Sequence, residues 1–196
     1  MKKTDRKIRI LGIVGSPRKN GNTHLLVSRI LEGAIAAGAV GDILFLRKLT
    51  IRECDGCHRC WKGRQCSKHD DMIGVYDQII ASDVIVFGTP VYWYGPTALM
   101  KGLLDRLVYF NCPENRAKIK GKSAILAVPF EENSLATADP VVAMFEKGLQ
   151  YLEMNLIGRV LAPGVDEKGE ILNHPQYLRE GFELGEKAVR KKRIPE

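Results

Sequence analysis

The strongest constraint on this chain is an alternation. Short apolar runs take turns with longer stretches whose apolar residues recur at helical spacing. The run IRILGIV (residues 8–14) ends in Gly-Ser-Pro and reads as a buried strand. From Thr23 onward, Leu26, Ile30, Leu31 and Ala34 share one helical face, and Gly38 is a natural stop. DILFLRKL (42–49) reads as a second strand. Asp70 and Asp71 then stand where a helix start gains from negative charge, followed by Met72, Val75, Tyr76, Ile79 and Ile80 on one face. DVIVFGTP (83–90) is the clearest strand of all. Pro96 suits the first turn of a third helix, whose inward positions are Leu99, Leu103, Leu104, Leu107 and Val108. KSAILAVPF (122–130) gives a fourth strand, and Val141, Phe145, Leu149 and Leu152 a fourth helix. GRVLAPG (158–164) and the helix through Tyr177, Leu178, Phe182, Ala188 and Val189 close the series.

Continuously apolar strands separated by amphipathic helices belong to a parallel sheet covered on both faces, so the expected class is α/β. The crossovers are right-handed, and ligands bind at the carboxyl ends of such strands. The 196 residues suffice for one domain spanning 1–196, interrupted by a cysteine-rich loop insert at about 50–70. The basic first residues lead into a run broken by Arg9 and Gly12 with no small-residue cleavage site. No signal peptide and no membrane partner are expected, and the expected compartment is the cytoplasm.

Three loops leave the carboxyl ends with unusual chemistry. After the first strand, GSPRKNGNTHLL (15–26) brings Ser16, Arg18, Asn20, Asn22 and Thr23 to a helix start. Free N–H groups and a partial positive charge gather there, which suits one phosphate. The loop is neither a Walker loop nor a dinucleotide fingerprint, because the glycine spacing and the Gly-Lys-Ser/Thr ending are wrong. Asn22 or Thr23 taken alone reads rather as a helix N-cap. After the third strand, PVYWYGP (90–96) puts Tyr92, Trp93 and Tyr94 in succession, and three consecutive aromatics cannot all face one core. They suit a flat ring ligand, a subunit contact, or both. Phe130, Glu131, Glu132 and Asn133 follow the fourth strand, in reach of the same edge.

The insert concentrates four of the five cysteines: Cys54, Cys57, Cys60 and Cys66 read C-x2-C-x2-C-x5-C. In a reducing compartment such crowding points to metal or redox chemistry rather than disulfides. Thiolates at i, i+3 and i+6 can wrap one compact body, as in the run that binds a 4Fe–4S cluster. Structural zinc more often uses two separated C-x2-C pairs, and empty thiols remain the third option. Arg59, Lys62 and Arg64 offer positive charge and His58 a proton donor, though a solvated loop carries such residues too. Gly56 and Gly63 let the loop turn, while Cys112 stands apart as a bystander.

Together, GSPRKNGNT and GTPVYWYGPTALMKGLLDR resemble the flavodoxin-like NADPH-dependent FMN reductases. With the cysteine string, the chain resembles the iron–sulfur flavoprotein branch of that superfamily. The similarity runs to about Arg106 and then thins to a pattern of elements. It implies a flavodoxin-like three-layer sandwich whose five-stranded parallel sheet has the order 2-1-3-4-5, with FMN along its carboxyl edge. Ser16, Arg18, Asn20, Asn22 and Thr23 fall on the family's phosphate-loop positions. Pro90, Val91, Tyr92, Trp93, Tyr94 and Gly95 fall on those lining the isoalloxazine. Cys54, Cys57, Cys60 and Cys66 would hold the 4Fe–4S cluster. The implied activity is FMN-dependent electron transfer between cluster and flavin to an unspecified acceptor. A further use of Arg59, Lys62 and Arg64 is docking an acidic, ferredoxin-type donor, and the resemblance implies a second copy, in a homodimer or homotetramer. One alternative is an NAD(P)H-dependent FMN or quinone reductase without a cluster. Another is a flavodoxin-like carrier, which the net charge of +7 disfavours. A zinc-stabilised nucleic-acid binder would need basic and aromatic residues on one surface, so no nucleic-acid partner is expected, the terminal RKKR run notwithstanding.

Overall fold

The computed structural model describes residues 6–193, with side chains to residue 191. The sheet has five strands: β1 (Arg9–Val14), β2 (Val40–Phe45), β3 (Val84–Gly88), β4 (Ser123–Pro129) and β5 (Asn155–Ala162). Every pairing is parallel, and the order is β2-β1-β3-β4-β5, as the resemblance implies. The longer helices are α1 (Asn22–Ala36), α2 (Met72–Ala81), α3 (Ala98–Arg106), α5 (Asp139–Tyr151) and α6 (Pro175–Arg193). Between them lies a single turn, α4 (Pro113–Arg116), which apolar periodicity cannot register in four residues.

The central strands divide their side chains between two cores, as period-two geometry requires. Leu11 and Ile13, Ile85 and Phe87, and Ala124, Leu126 and Val128 face α2, α3 and α5. Ile10 and Val14, Val84 and Val86, and Ile125 and Ala127 face α1 and α6. Both cores are fully buried, and burying Phe87, at 1% exposure, contributes roughly 2–3 kcal/mol. Gly88 ends β3 where α1 crosses. A Cβ there would stand 2.4 Å from Val27 and 3.0 Å from Thr23, so glycine lets the start of α1 press against the sheet edge.

Several boundaries differ from the sequence reading. The second strand stops at Phe45, because Leu46–Lys48 curl into a 3-10 turn. The third helix begins at Ala98 rather than Pro96: Thr97 is its N-cap, and its Oγ1 accepts from Met100 N at 3.2 Å. Leu107 and Val108 continue as 3-10 helix rather than α-helix. Asp71 occupies the N-cap position of α2 without a capping bond. The acidic pair instead clasps the base of the insert. Asp71 accepts from Thr50 N at 2.7 Å, and Asp70 accepts from Arg52 N at 2.9 Å and from Met72 N at 3.2 Å. Of the RKKR run (190–193), the last two side chains lie outside the described residues, as do residues 1–5 of the basic N-terminus. Among the described residues no helix is long and apolar enough to cross a membrane.

Candidate functional site

The loops leaving β1, β3, β4 and β5 surround a cavity of about 480 Å³. Ser16, Arg18, Asn22 and Thr23 form one wall, and Pro90, Val91, Tyr92 and Trp93 another. Phe130 and Glu131 come from the loop after β4. Asn20, Tyr94 and Gly95 do not line it, nor do Glu132 and Asn133. Asn20 is an exposed turn residue at φ 55°. Glu132 accepts through its carbonyl from Gly164 N at 3.3 Å, and the Asn133 carboxamide lies beside Gly164.

The first wall gathers groups that could hold an anion. Gly21 caps α1 without a side-chain bond, so the first-turn N–H groups lack a capping oxygen. Thr23 is 2% exposed and Ser16 4%. Ser16 Oγ accepts from Arg18 N at 3.2 Å, which folds the turn back on itself. Neither Asn22 nor Thr23 is the N-cap. Asn22 opens the helix and spends its carboxamide elsewhere, donating to Glu167 O at 2.9 Å and accepting from Ile171 N at 3.2 Å. These two bonds tie α1 to the loop after β5. Arg18 donates to the carbonyl of Asp166, whose carboxylate lies 3.7 Å away. Pro129, Val165 and Asp166 therefore join the cavity, and sequence reasoning missed all three. The missed signal was the polar stretch GVDEKGE directly after the fifth strand.

The aromatic turn is a tight hairpin. Tyr92 N donates to Gly95 O at 2.8 Å and Gly95 N to Tyr92 O at 3.0 Å. Its two tip residues, Trp93 and Tyr94, sit at φ 50° and 59°, the left-handed region that bulky residues avoid. Trp93 is 96% exposed. Thr97 anchors the turn from behind, donating to Gly15 O and accepting from Met100 N, while its own N–H reaches Thr89 Oγ1 at 3.1 Å.

The insert forms a second, smaller site. Cys54, Cys57, Cys60 and Cys66 all line one cleft of about 40 Å³, with Tyr76, Arg106 and Val108 on its inner side. Cys60 is buried, Cys66 half-buried, and Cys54 and Cys57 exposed. The thiols share the cleft without converging: among the described residues no three His, Cys, Asp or Glu side chains are placed to hold a metal ion. The donor chemistry nonetheless fits a thiolate-bound centre. Burial pushes the Cys60 thiol up, and the three neighbouring cysteines add to that. A cation at the sulfurs would reverse it. Asp55 pairs with Lys68 at 2.8 Å, and this bond first, then Cys57, holds its carboxyl down at about 2. Cys57 Sγ lies 3.3 Å from Ser67 Oγ. His58 is exposed, edge-on to Trp61 at 4.2 Å, and Arg59, Lys62 and Arg64 are exposed too.

The positive group that touches sulfur comes from outside the insert. Arg106, at the end of α3, donates to Cys66 Sγ at 3.3 Å, to Arg52 O at 2.7 Å, and to both Asp70 oxygens at 2.7 and 3.1 Å. Both side chains of the ion pair are 1% exposed. Burial opposes charge on each. The paired bonds outweigh it, holding the Asp70 carboxyl below its ordinary range and the Arg106 guanidinium above its own. Cys112 is buried before α4 and does not line the cleft.

The chain is similar to known flavoproteins. A family model described as NADPH-dependent FMN reductase matches residues 8–162. An iron–sulfur flavoprotein of Archaeoglobus fulgidus is 39% identical over 99 residues, covering 50% of this chain and 48% of that protein. The chain thus spans about half the length of the iron–sulfur flavoproteins it matches. A Bacillus subtilis (strain 168) protein, provisionally named an NAD(P)H-dependent FMN-containing oxidoreductase, is 25% identical over 175 residues, covering 87% of this chain and 93% of that one. Among solved structures, the Trp repressor binding protein from Bacillus subtilis superposes with a TM-score of 0.69 at 22% identity, covering 90% of this chain and 98% of the other. At that identity the likeness speaks for the fold alone.

Proposed function

The chain belongs to the NADPH-dependent FMN reductase family, and on that premise we propose that it is an FMN-dependent oxidoreductase whose four clustered cysteines hold a 4Fe–4S centre that exchanges electrons with the flavin. When bound, FMN supplies a carrier of one or two electrons, and a thiolate-held cluster supplies single electrons. Everything else falls to the protein. The open N–H groups of α1, with Ser16, Arg18 and Thr23, would take the phosphate. Pro90 to Trp93 would cover the ring, and backbone groups of the hairpin would orient its edge. Asn22 would act indirectly, by fixing the loop after β5 against α1.

The observation that supports the relay is that all four cysteines line one cleft, joined to the proposed flavin pocket by a single helix. Thr97 caps that helix beside Gly15 at the flavin end, and Arg106 closes it against Cys66. Nine steps of 1.5 Å set the two ends about 14 Å apart. A packed α-helix keeps that span fixed. The exposed Arg59, Lys62 and Arg64 would dock an acidic, ferredoxin-type donor, and the exposed Trp93 would meet a neighbouring copy in a homodimer or homotetramer.

The test is Cys57→Ala. It should abolish iron binding and leave FMN at one per chain in protein purified without oxygen. Loss of both would contradict two separate sites. A second reading, an NAD(P)H-dependent reductase with idle thiols, draws support from the Bacillus subtilis relative that matches most of the chain. It predicts full NAD(P)H-driven flavin turnover in the same variant.

A further inference from the structure

We propose that Arg106 is the positioning residue of the cysteine site, holding Cys66 in place and presenting its remaining N–H donor and its charge to the sulfur-bound group. The inference rests on the cluster reading above and goes beyond it by naming a residue outside the cysteine string.

A guanidinium has five N–H groups in a planar fork. Four are matched to acceptors: Nη1 to Arg52 O and Asp70 Oδ2, Nη2 to Asp70 Oδ1 and Cys66 Sγ. The fifth, on Nε, is buried and has no partner among the described residues. The side chain is 1% exposed and lines the cysteine cleft. A buried cation with a spare donor is costly unless an acceptor meets it. The expected acceptor is the one this cleft would hold, an anionic centre ringed by thiolates.

Asp70 alone does not account for the arginine. A buried ion pair of this kind often contributes little net stability over an apolar pair of similar size. Its neighbours Leu103 and Leu107 show that the helix face is otherwise apolar. What the pair does provide is register: Asp70 fixes the plane of the fork, and the fork fixes Cys66. Hydrogen bonds to sulfur and nearby positive charge both raise a cluster's reduction potential. Lysine would keep the charge but not the fork, since it cannot grip two carboxylate oxygens, a carbonyl and a sulfur at once.

The experiment compares the parent chain with Arg106→Lys and with the double variant Asp70→Asn/Arg106→Gln, which leaves no buried charge unpaired. Each is reconstituted without oxygen using ferrous iron and sulfide. Iron, sulfide and FMN are counted, iron loss to a chelator is timed, and the cluster potential is titrated. The expected result is unchanged FMN in all three. Iron loss should be at least several-fold faster in both variants. The reduced-to-oxidised ratio of the cluster at fixed potential should fall several-fold in the double variant, which loses the guanidinium donors to sulfur while the two removed charges offset each other. Equal potentials and equal iron-loss rates would overturn the role. So would loss of FMN together with iron in both variants, which would make Arg106 a folding residue only. A parent chain that takes up no iron and sulfide would overturn the cluster reading itself, an outcome visible without either variant.

Discussion

Replacing Gly185 by alanine should loosen the molecule where α6 packs on α1. Gly185 lies on α6 where it crosses α1, and a Cβ added there would stand 1.9 Å from Ile30 O and 2.9 Å from Ala34 N. Both are backbone atoms of a helix, so no side chain can swing aside. The helices must part by about 1.5 Å to reach ordinary contact distances of ~3.5 Å. That gap would open the packing of Ile30, Ala34, Ala188 and Val189, all at most 2% exposed. Overpacking of this type costs about 1–3 kcal/mol. With rigid neighbours the upper end applies, and alanine's better helix propensity returns about 1 kcal/mol. The net loss is about 2 kcal/mol, or roughly 4–8 °C in Tm for a chain of this size. Gly148 is the internal control: it lies inside α5 with nothing within 4 Å of an added Cβ. Alanine there should stabilise by about 0.5–1 kcal/mol. Thermal melts of the FMN-free variants decide the matter. A Gly185→Ala protein that melts at or above the parent would refute the reasoning, because it would mean the close crossing of α1 and α6 does not exist.

Three other outcomes follow from the site. Arg18→Ala should weaken FMN binding roughly 10- to 150-fold, the worth of one charge-assisted bond of about 1.5–3 kcal/mol, measured by flavin fluorescence titration; an unchanged Kd would remove Arg18 from the phosphate site. The double change Trp93→Asn/Tyr94→Gly should relieve two left-handed aromatic residues and raise the Tm of the FMN-free protein by several degrees, at about 1–2 kcal/mol, while lowering FMN affinity; a lower Tm would show that the turn is unstrained. Burial, then Arg47, depresses the His24 pKa below its ordinary value. As pH falls through the unfolded value of about 6.5, the unfolded chain therefore binds the proton first, and stability drops until the folded pKa is passed. Urea midpoints from pH 8 to 5 should fall more steeply for the parent than for His24→Gln, and the opposite ordering would contradict the assignment.

The central strands were legible because each is a dense apolar run, and DVIVFG reads as buried on both faces; the edge strands β2 and β5, diluted by Gly41, Asp42, Gly158 and Arg159, begin at Val40 and Asn155, earlier than their sequence suggests. Their spatial order was not legible from periodicity and came from the resemblance, since nothing within a strand says which neighbour it chooses. The phosphate loop and the cysteine string were local, and local patterns survive in sequence. What failed to show was contact across distance. Asn22 meets Glu167 and Ile171 from the far end of the chain, so its role as a tether could not be read from the turn around it. Arg106 reads as an ordinary basic residue in the last turn of a helix, and only its pairing with Asp70 and Cys66 reveals otherwise. Asp70 and Asp71 read as helix-start charges in the sequence; the structure spends them on closing the insert.

The most direct test of the central claim is an assay of iron, acid-labile sulfide, zinc and FMN on one sample of the chain isolated without oxygen. The account predicts one FMN with about four iron and four sulfide per chain. FMN without iron or sulfide, or zinc in their place, would contradict it.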